Sequence, residues 1–157
     1  MPKKSSVPII YSIIRESLSA QQSQKSALES KSNTLTGFAG GMIALLIGAG
    51  DATEALPPYI KTLVFISSIL FLVSILLATI IGWVRKYRID PNPSALAENY
   101  LDVSEEEVQL QLISNLAGAW AENSDLLERN AKILRIAFFA QTVAFILLGI
   151  VLAWSLV

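Results

Sequence analysis

Residues 62–84 read TLVFISSILFLVSILLATIIGWV, 23 positions without one charged side chain. A helix rises about 1.5 Å per residue and needs roughly 20 apolar residues to cross the ~30 Å hydrocarbon layer of a bilayer, so this stretch is long enough to span. Two further charge-free runs flank it, residues 136–157 with 22 positions and residues 34–50 with 17, the shortest of the three. Together they predict an all-α membrane protein with three transmembrane helices and long cytoplasmic helical extensions. The expected plan is a cytoplasmic N-terminal helix (1–33), a transmembrane hairpin (34–84, with spans 34–50 and 62–84), a cytoplasmic helical segment (85–135) and a third span (136–157).

Composition points the same way. A chain of 157 residues that is 53% hydrophobic, with mean hydropathy +0.53, is too apolar for an ordinary soluble domain. It has no His and no Cys, which removes imidazole and thiolate metal ligands, disulfides, Cys nucleophiles and the usual neutral-pH general base. No span carries Asp, Glu or a nucleophile paired with a base, so the chain is expected not to be an enzyme and to use no cofactor. The lack of mid-membrane charge also argues against a proton pump, a voltage sensor or an ion-coupled transporter. An early apolar cluster, Val7 to Ile14, is interrupted by Arg15 and Glu16 and does not fit a secretory signal peptide.

Charge distribution sets the expected topology. Five cations precede the first run (Lys3, Lys4, Arg15, Lys25, Lys31), six lie between the second and third (Arg85, Lys86, Arg88, Arg129, Lys132, Arg135), and only Lys61 falls in the short loop. Lys and Arg are retained in the cytoplasm near spans, so the N-terminus and the middle segment read as inside, and the short loop and C-terminus as outside, in the inner membrane. Arg85, Lys86 and Arg88 follow Trp83 at the membrane face and read first as an interfacial anchor. Their other reading, with Arg129, Lys132 and Arg135, is contact with an anionic lipid or a nucleotide phosphate. The nine acids between Asp90 and Glu128 leave no sustained basic surface, so nucleic acid is not an expected partner.

Local signals place the helix ends. Pro57-Pro58 stops one helix and lets the next begin near Tyr59, while Ser104 and Glu107 form an S-x-x-E capping box with acids at 105–107 on the positive end of the helix dipole. No Gly-Pro break follows, so one helix of about fifty residues is expected from Glu105 through the last span. Its cytoplasmic part shows a coiled-coil stripe, Ile113, Leu116, Trp120, Asn123, Leu127, Asn130, Leu134 and Ala137, in steps of three and four. The stripe either packs on the N-terminal helix of the same chain or forms an oligomer seam, in which Trp120, Asn123, Leu127 and Asn130 are the key positions and the two Asn fix register.

Within the spans, small residues suggest close packing. Gly37 and Gly41 make a G-x-x-x-G, Gly40, Ala44 and Gly48 a second stripe, and Ser67, Ser74, Ala78 and Gly82 share a face of the second span. These stripes are expected to pack the three helices on one another, with packing between chains as the alternative. A buried amide in lipid needs a partner, so Gln141 is expected to bond a neighbouring helix or, alternatively, to line a pore.

The run Leu28-Glu29-Ser30-Lys31-Ser32-Asn33-Thr34-Leu35-Thr36-Gly37-Phe38-Ala39-Gly40-Gly41, leading into a span, resembles the opening of small prokaryotic membrane effectors, the Pycsar-type transmembrane effectors and the related SLATT-like group. The stretch Asn123 to Lys132, with Leu134-Arg135 entering the last span, is similar to their long returning helix. The resemblance covers most of the chain in layout and about fourteen residues in motif. It implies anti-phage defence: an inner-membrane protein that oligomerises and permeabilises the membrane when an upstream sensor signals infection. Members that sense a cyclic nucleotide themselves carry a separate binding domain, and these 157 residues have no room for one, so the trigger is expected from a sensor protein or through the cytoplasmic helices. The other functional class that fits is a non-conducting structural or regulatory subunit of a larger complex.

Overall fold

The computed structural model describes residues 7–49, 56–83, 87–88 and 103–155, and among them the protein is all-α: three helices and no strand. Helix α1 is Val7–Gly48, α2 is Pro58–Gly82 and α3 is Glu105–Ser155. Pro57 and Pro58 start α2 because a proline at the first helical position gives up only an N–H that has no partner there, and the Pro57 carbonyl accepts from the N–H groups of Ile60 and Lys61 at 3.0 and 3.1 Å. Half of the expected capping box of α3 forms: Ser104 Oγ accepts from the Glu107 N–H at 3.4 Å, while Glu107 Oε2 accepts from the Ser104 hydroxyl at 3.0 Å in place of the Ser104 backbone N–H. From there α3 runs 51 residues without a break.

Two of the three helices, α2 and α3, are long and apolar enough to cross a membrane, where the sequence reading counts three spans. The difference lies in α1, whose helix ends at Gly48, before its charge-free run does, and which holds Thr34, Thr36, Gly37, Gly40 and Gly41 where α2 has large aliphatic residues. Only 28% of the apolar window of α2 and 33% of that of α3 are buried within the protein. The core helix of a soluble protein is mostly covered, so outward apolar faces of this extent call for lipid.

The chain divides into two compact units, Met1–Ser26 with Arg85–Arg129, and Ala27–Val84 with Asn130–Val157. In the second unit the pairings Ser32 with Ala78 and Ala39 with Phe71 make α1 and α2 antiparallel, and Ser74 with Gln141 and Tyr59 with Trp154 do the same for α2 and α3. It is an up-down-up bundle. Its centre is Phe71, fully buried and clustered with Ala39, Ala144 and Leu148. Phe145 meets Phe71 and Phe38 edge-on, at ring-centroid distances of 5.1 and 5.4 Å. Alanines on α1 and α3 leave the room that a ring from α2 fills. The α2 stripe Ser67, Ser74 and Ala78 is buried, whereas Gly82 is exposed.

The first unit is built differently. Among its described residues the buried apolar side chains are Leu116, Ala119 and Leu127, all on α3, and amides join its helices. Gln21 of α1 donates through Nε2 to the Trp120 carbonyl at 3.0 Å and to Ser124 Oγ at 2.8 Å. Ala119 rather than the expected Trp120 is buried on this stripe, because a side chain that reaches a backbone carbonyl needs a small neighbour; the Trp120 side chain is 45% exposed. The stripe itself keeps its step and continues into the apolar half of α3 as Ala137, Gln141, Ala144, Leu148 and Val151.

Candidate functional site

Three groups of residues can carry function, and each follows from a local rule.

The first is the small-residue face of α1. Gly37, Gly41, Ala44 and Gly48 recur at three or four residues and so lie on one face, and that face is exposed. A Cβ built on Gly37, Gly40, Gly41 or Gly48 meets nothing within 4 Å. Among the described residues nothing packs on these glycines, where the sequence suggests packing of the three helices on one another. The residues of α1 that pack inward are Ser32, Leu35 and Ala39, with the Ser32 hydroxyl donating to the Ala78 carbonyl at 2.6 Å.

The second group lies at the end of the first unit, where Arg88 and Asn123 clasp. The Asn123 side chain is fully buried, its Oδ1 accepting from the Arg88 N–H at 3.2 Å and its Nδ2 donating to the Arg88 carbonyl at 3.1 Å. Asn123 thus satisfies backbone of its own chain and does not offer its amide to an oligomer seam. Leu127 is buried, while Asn130, in the second unit, is half-buried. Arg88, expected as a phosphate contact, has its guanidinium 2.8 Å from Glu122; with both side chains well exposed, such a pair stabilises little. Beside it Lys25 Nζ stands 5.0 Å from the centre of the Tyr87 ring. The Tyr87 hydroxyl is buried with no hydrogen-bond partner among the described residues, and this burial pushes the phenol pKa up. Of the other expected phosphate contacts, Arg129 and Lys132 are exposed on α3, and Arg85 and Lys86 lie outside the described residues.

The third group is an open groove of about 810 Å3 in the second unit, between α1 and α3. Lys31 and Arg135 stand where the two helices enter their charge-free runs, Phe38, Phe138 and Phe139 line the apolar part, and Gln141 lies between them. Gln141 is 7% exposed and accepts a hydrogen bond from Ser74 Oγ at 3.3 Å, the bond to a neighbouring helix that a buried amide requires. Lys31 was legible as a topology signal but not as a groove residue. Its partner Arg135 is 104 positions away, and no local period links them.

A family model described as the Pycsar effector protein domain matches residues 13–157, nearly the whole chain. The chain belongs to the Pycsar effector family. No curated protein and no solved structure matches it. Membership, with two apolar helices of spanning length, makes it a membrane protein and assigns it the role of a transmembrane effector in anti-phage defence.

Proposed function

We propose that this Pycsar effector oligomerises in the inner membrane through the small-residue face of α1 and permeabilises the membrane when an upstream sensor or nucleotide signal reaches it. The observation that carries the reading is the exposed face Gly37, Gly41, Ala44 and Gly48, with no described residue within 4 Å of a Cβ built on its glycines. In lipid there is little hydrophobic drive between helices, and small residues that let backbones touch are the main packing device. Glycine inside a helix costs about 1 kcal/mol relative to alanine, so a glycine stripe turned to lipid alone lowers stability without return.

The apolar end of α1 lies antiparallel to α2 within the second unit, and this supports its acting as a third, shorter span beside the other two. With the cation asymmetry it gives a cytoplasmic N-terminus and an outer C-terminus. Nothing in the reading requires catalysis, and the protein acts as a membrane component rather than an enzyme.

The test is induced expression of the full chain with its sensor activated, reading growth and membrane potential. Wild type is expected to arrest growth and collapse the potential, and Gly41→Leu to do neither while still inserting, because a bulky side chain separates the backbones. A wild-type protein that leaves both unchanged under every condition overturns the reading and favours a non-conducting subunit. Reporter fusions at Val157 and near Asn92 check the topology, expected outside and inside respectively.

A further inference from the structure

We infer that the groove between α1 and α3 in the second unit is a binding site for one anionic glycerophospholipid. The inference rests on membrane residence alone and is independent of whether the effector forms pores. Three features of the groove converge on a ligand that is anionic at one end, an acceptor in the middle and apolar at the other.

Lys31 and Arg135 stand at the polar end, and neither has an acidic partner among the described residues. Both sit within three residues of the charge-free runs, the depth at which a phosphate lies. Deeper in the groove is Gln141, more than nine-tenths buried, whose Oε1 is engaged by Ser74 while its Nε2 donates to no described residue. An amide donor in hydrocarbon without an acceptor is costly, so the groove is short of one acceptor at that level. Six residues separate Gln141 from Arg135, roughly 9 Å along the helix axis at about 1.5 Å per residue. A diacyl lipid whose phosphate meets Lys31 and Arg135 presents its ester carbonyls below, toward this amide. Phe138 and Phe139, between Arg135 and Gln141 on α3, and Phe38, which meets Phe145 beyond the amide, are more than half exposed and form an apolar wall for an acyl chain.

The other hydroxyls of the groove do not compete for the acceptor role. Thr34 donates to the Ser30 carbonyl at 3.0 Å and Thr142 to the Phe138 carbonyl at 2.9 Å, and neither hydroxyl oxygen accepts from the Gln141 amide. A second copy of this chain would bring to the groove helices whose backbone acceptors are consumed internally, and a free phosphate would leave the amide and the phenyl wall unmet. A phospholipid meets all three.

The experiment is a native mass-spectrometric titration of the delipidated full-length protein in detergent with dioleoyl phosphatidylglycerol or dioleoyl phosphatidylcholine. One phosphatidylglycerol per protomer is expected to be retained, in preference to phosphatidylcholine. Replacing both cations, Lys31→Gln with Arg135→Gln, is expected to weaken it roughly 30-fold, from about fivefold per cation near a headgroup. Equal retention of both lipids, unchanged binding by the double variant, or displacement of lipid by millimolar inorganic phosphate overturns the inference. Should the double variant fail to insert, a photoactivatable phosphatidylglycerol on the wild type decides. Adducts on Phe38, Phe138 or Phe139 are expected. Adducts only on the outer face of α2, such as Leu72 and Leu76, or cross-links between two copies at Phe139, overturn it.

Discussion

The two units use the same long helices and are held together by different means. In the first, side-chain amides reach backbone groups, Gln21 the Trp120 carbonyl and Asn123 both polar groups of Arg88, and among the described residues three apolar side chains are buried. In the second, a buried phenylalanine sits among alanines, and the polar joins are two serine hydroxyls. The contrast is one of contact chemistry: side-chain amides paired with backbone groups in the first unit, and in the second a ring packed closely on small side chains, the kind of contact that holds helices where hydrophobic drive is small.

That comparison can be broken by removing each kind of contact in turn. Phe71→Ala empties the centre of the second unit, and a loss of about 3–5 kcal/mol is expected in a detergent unfolding titration. A loss under ~1 kcal/mol means that packing is not what holds this unit. Asn123→Leu deletes both hydrogen bonds between the Asn123 amide and the Arg88 backbone, and a loss of about 0.5–1.5 kcal/mol for each is expected. Hydrogen exchange should quicken at amides 105–129 and stay unchanged at 136–151; the same protection in both variants and wild type removes the clasp. Glu122→Gln tests the weakest link, the exposed pair with Arg88, and a change within about 0.5 kcal/mol is expected.

Tyr87 sharpens the same contrast through pH. Its folded pKa is raised by burial, so the neutral phenol is the form the fold accepts. Its contribution is complete below the ordinary tyrosine value of about 10 and is lost as pH rises through the higher folded value. In an ultraviolet titration Tyr87 should ionise above the ordinary tyrosine value, and Tyr87→Phe should remove that late step. The substitution also deletes a buried hydroxyl with no partner among the described residues, so stability is expected to hold or rise slightly. A difference titration between wild type and Tyr87→Phe that is centred at the ordinary tyrosine value contradicts the buried placement.

Much of the helical framework is legible in sequence because it is set by local chemistry. Pro57-Pro58, the Ser104 and Glu107 box and the unbroken run into the last span mark their helices within a few residues. The α2 stripe Ser67, Ser74 and Ala78 also packs where its small side chains suggest. What sequence misjudges is the partner. Gly37 and Gly41 announce close approach, yet a period of four says nothing about which helix approaches, and here Ala39 faces inward instead. Asn123 announces a buried amide, but its acceptor and donor are the backbone of Arg88, which any residue type supplies. Of the groove, Gln141 and Arg135 stand out singly; bringing Lys31 to them takes the fold.

The aromatic residues at the ends of α2 have a mechanical consequence. Tyr59 pairs edge-on with Trp154 at one end, and Trp83 lies 76% exposed at the other. Twenty-four residues separate Tyr59 from Trp83, roughly 36 Å at about 1.5 Å per residue, between the ~30 Å hydrocarbon thickness and the 40–45 Å headgroup-to-headgroup distance. Aromatic rings prefer the interface, so α2 works as a calliper fitted to one bilayer thickness. In a thinner bilayer the rod must tilt to keep both ends at the interface, and Trp154 is drawn along with Tyr59. Membrane thickness is thereby a mechanical input to the angle at which α2 and α3 stand in the bilayer.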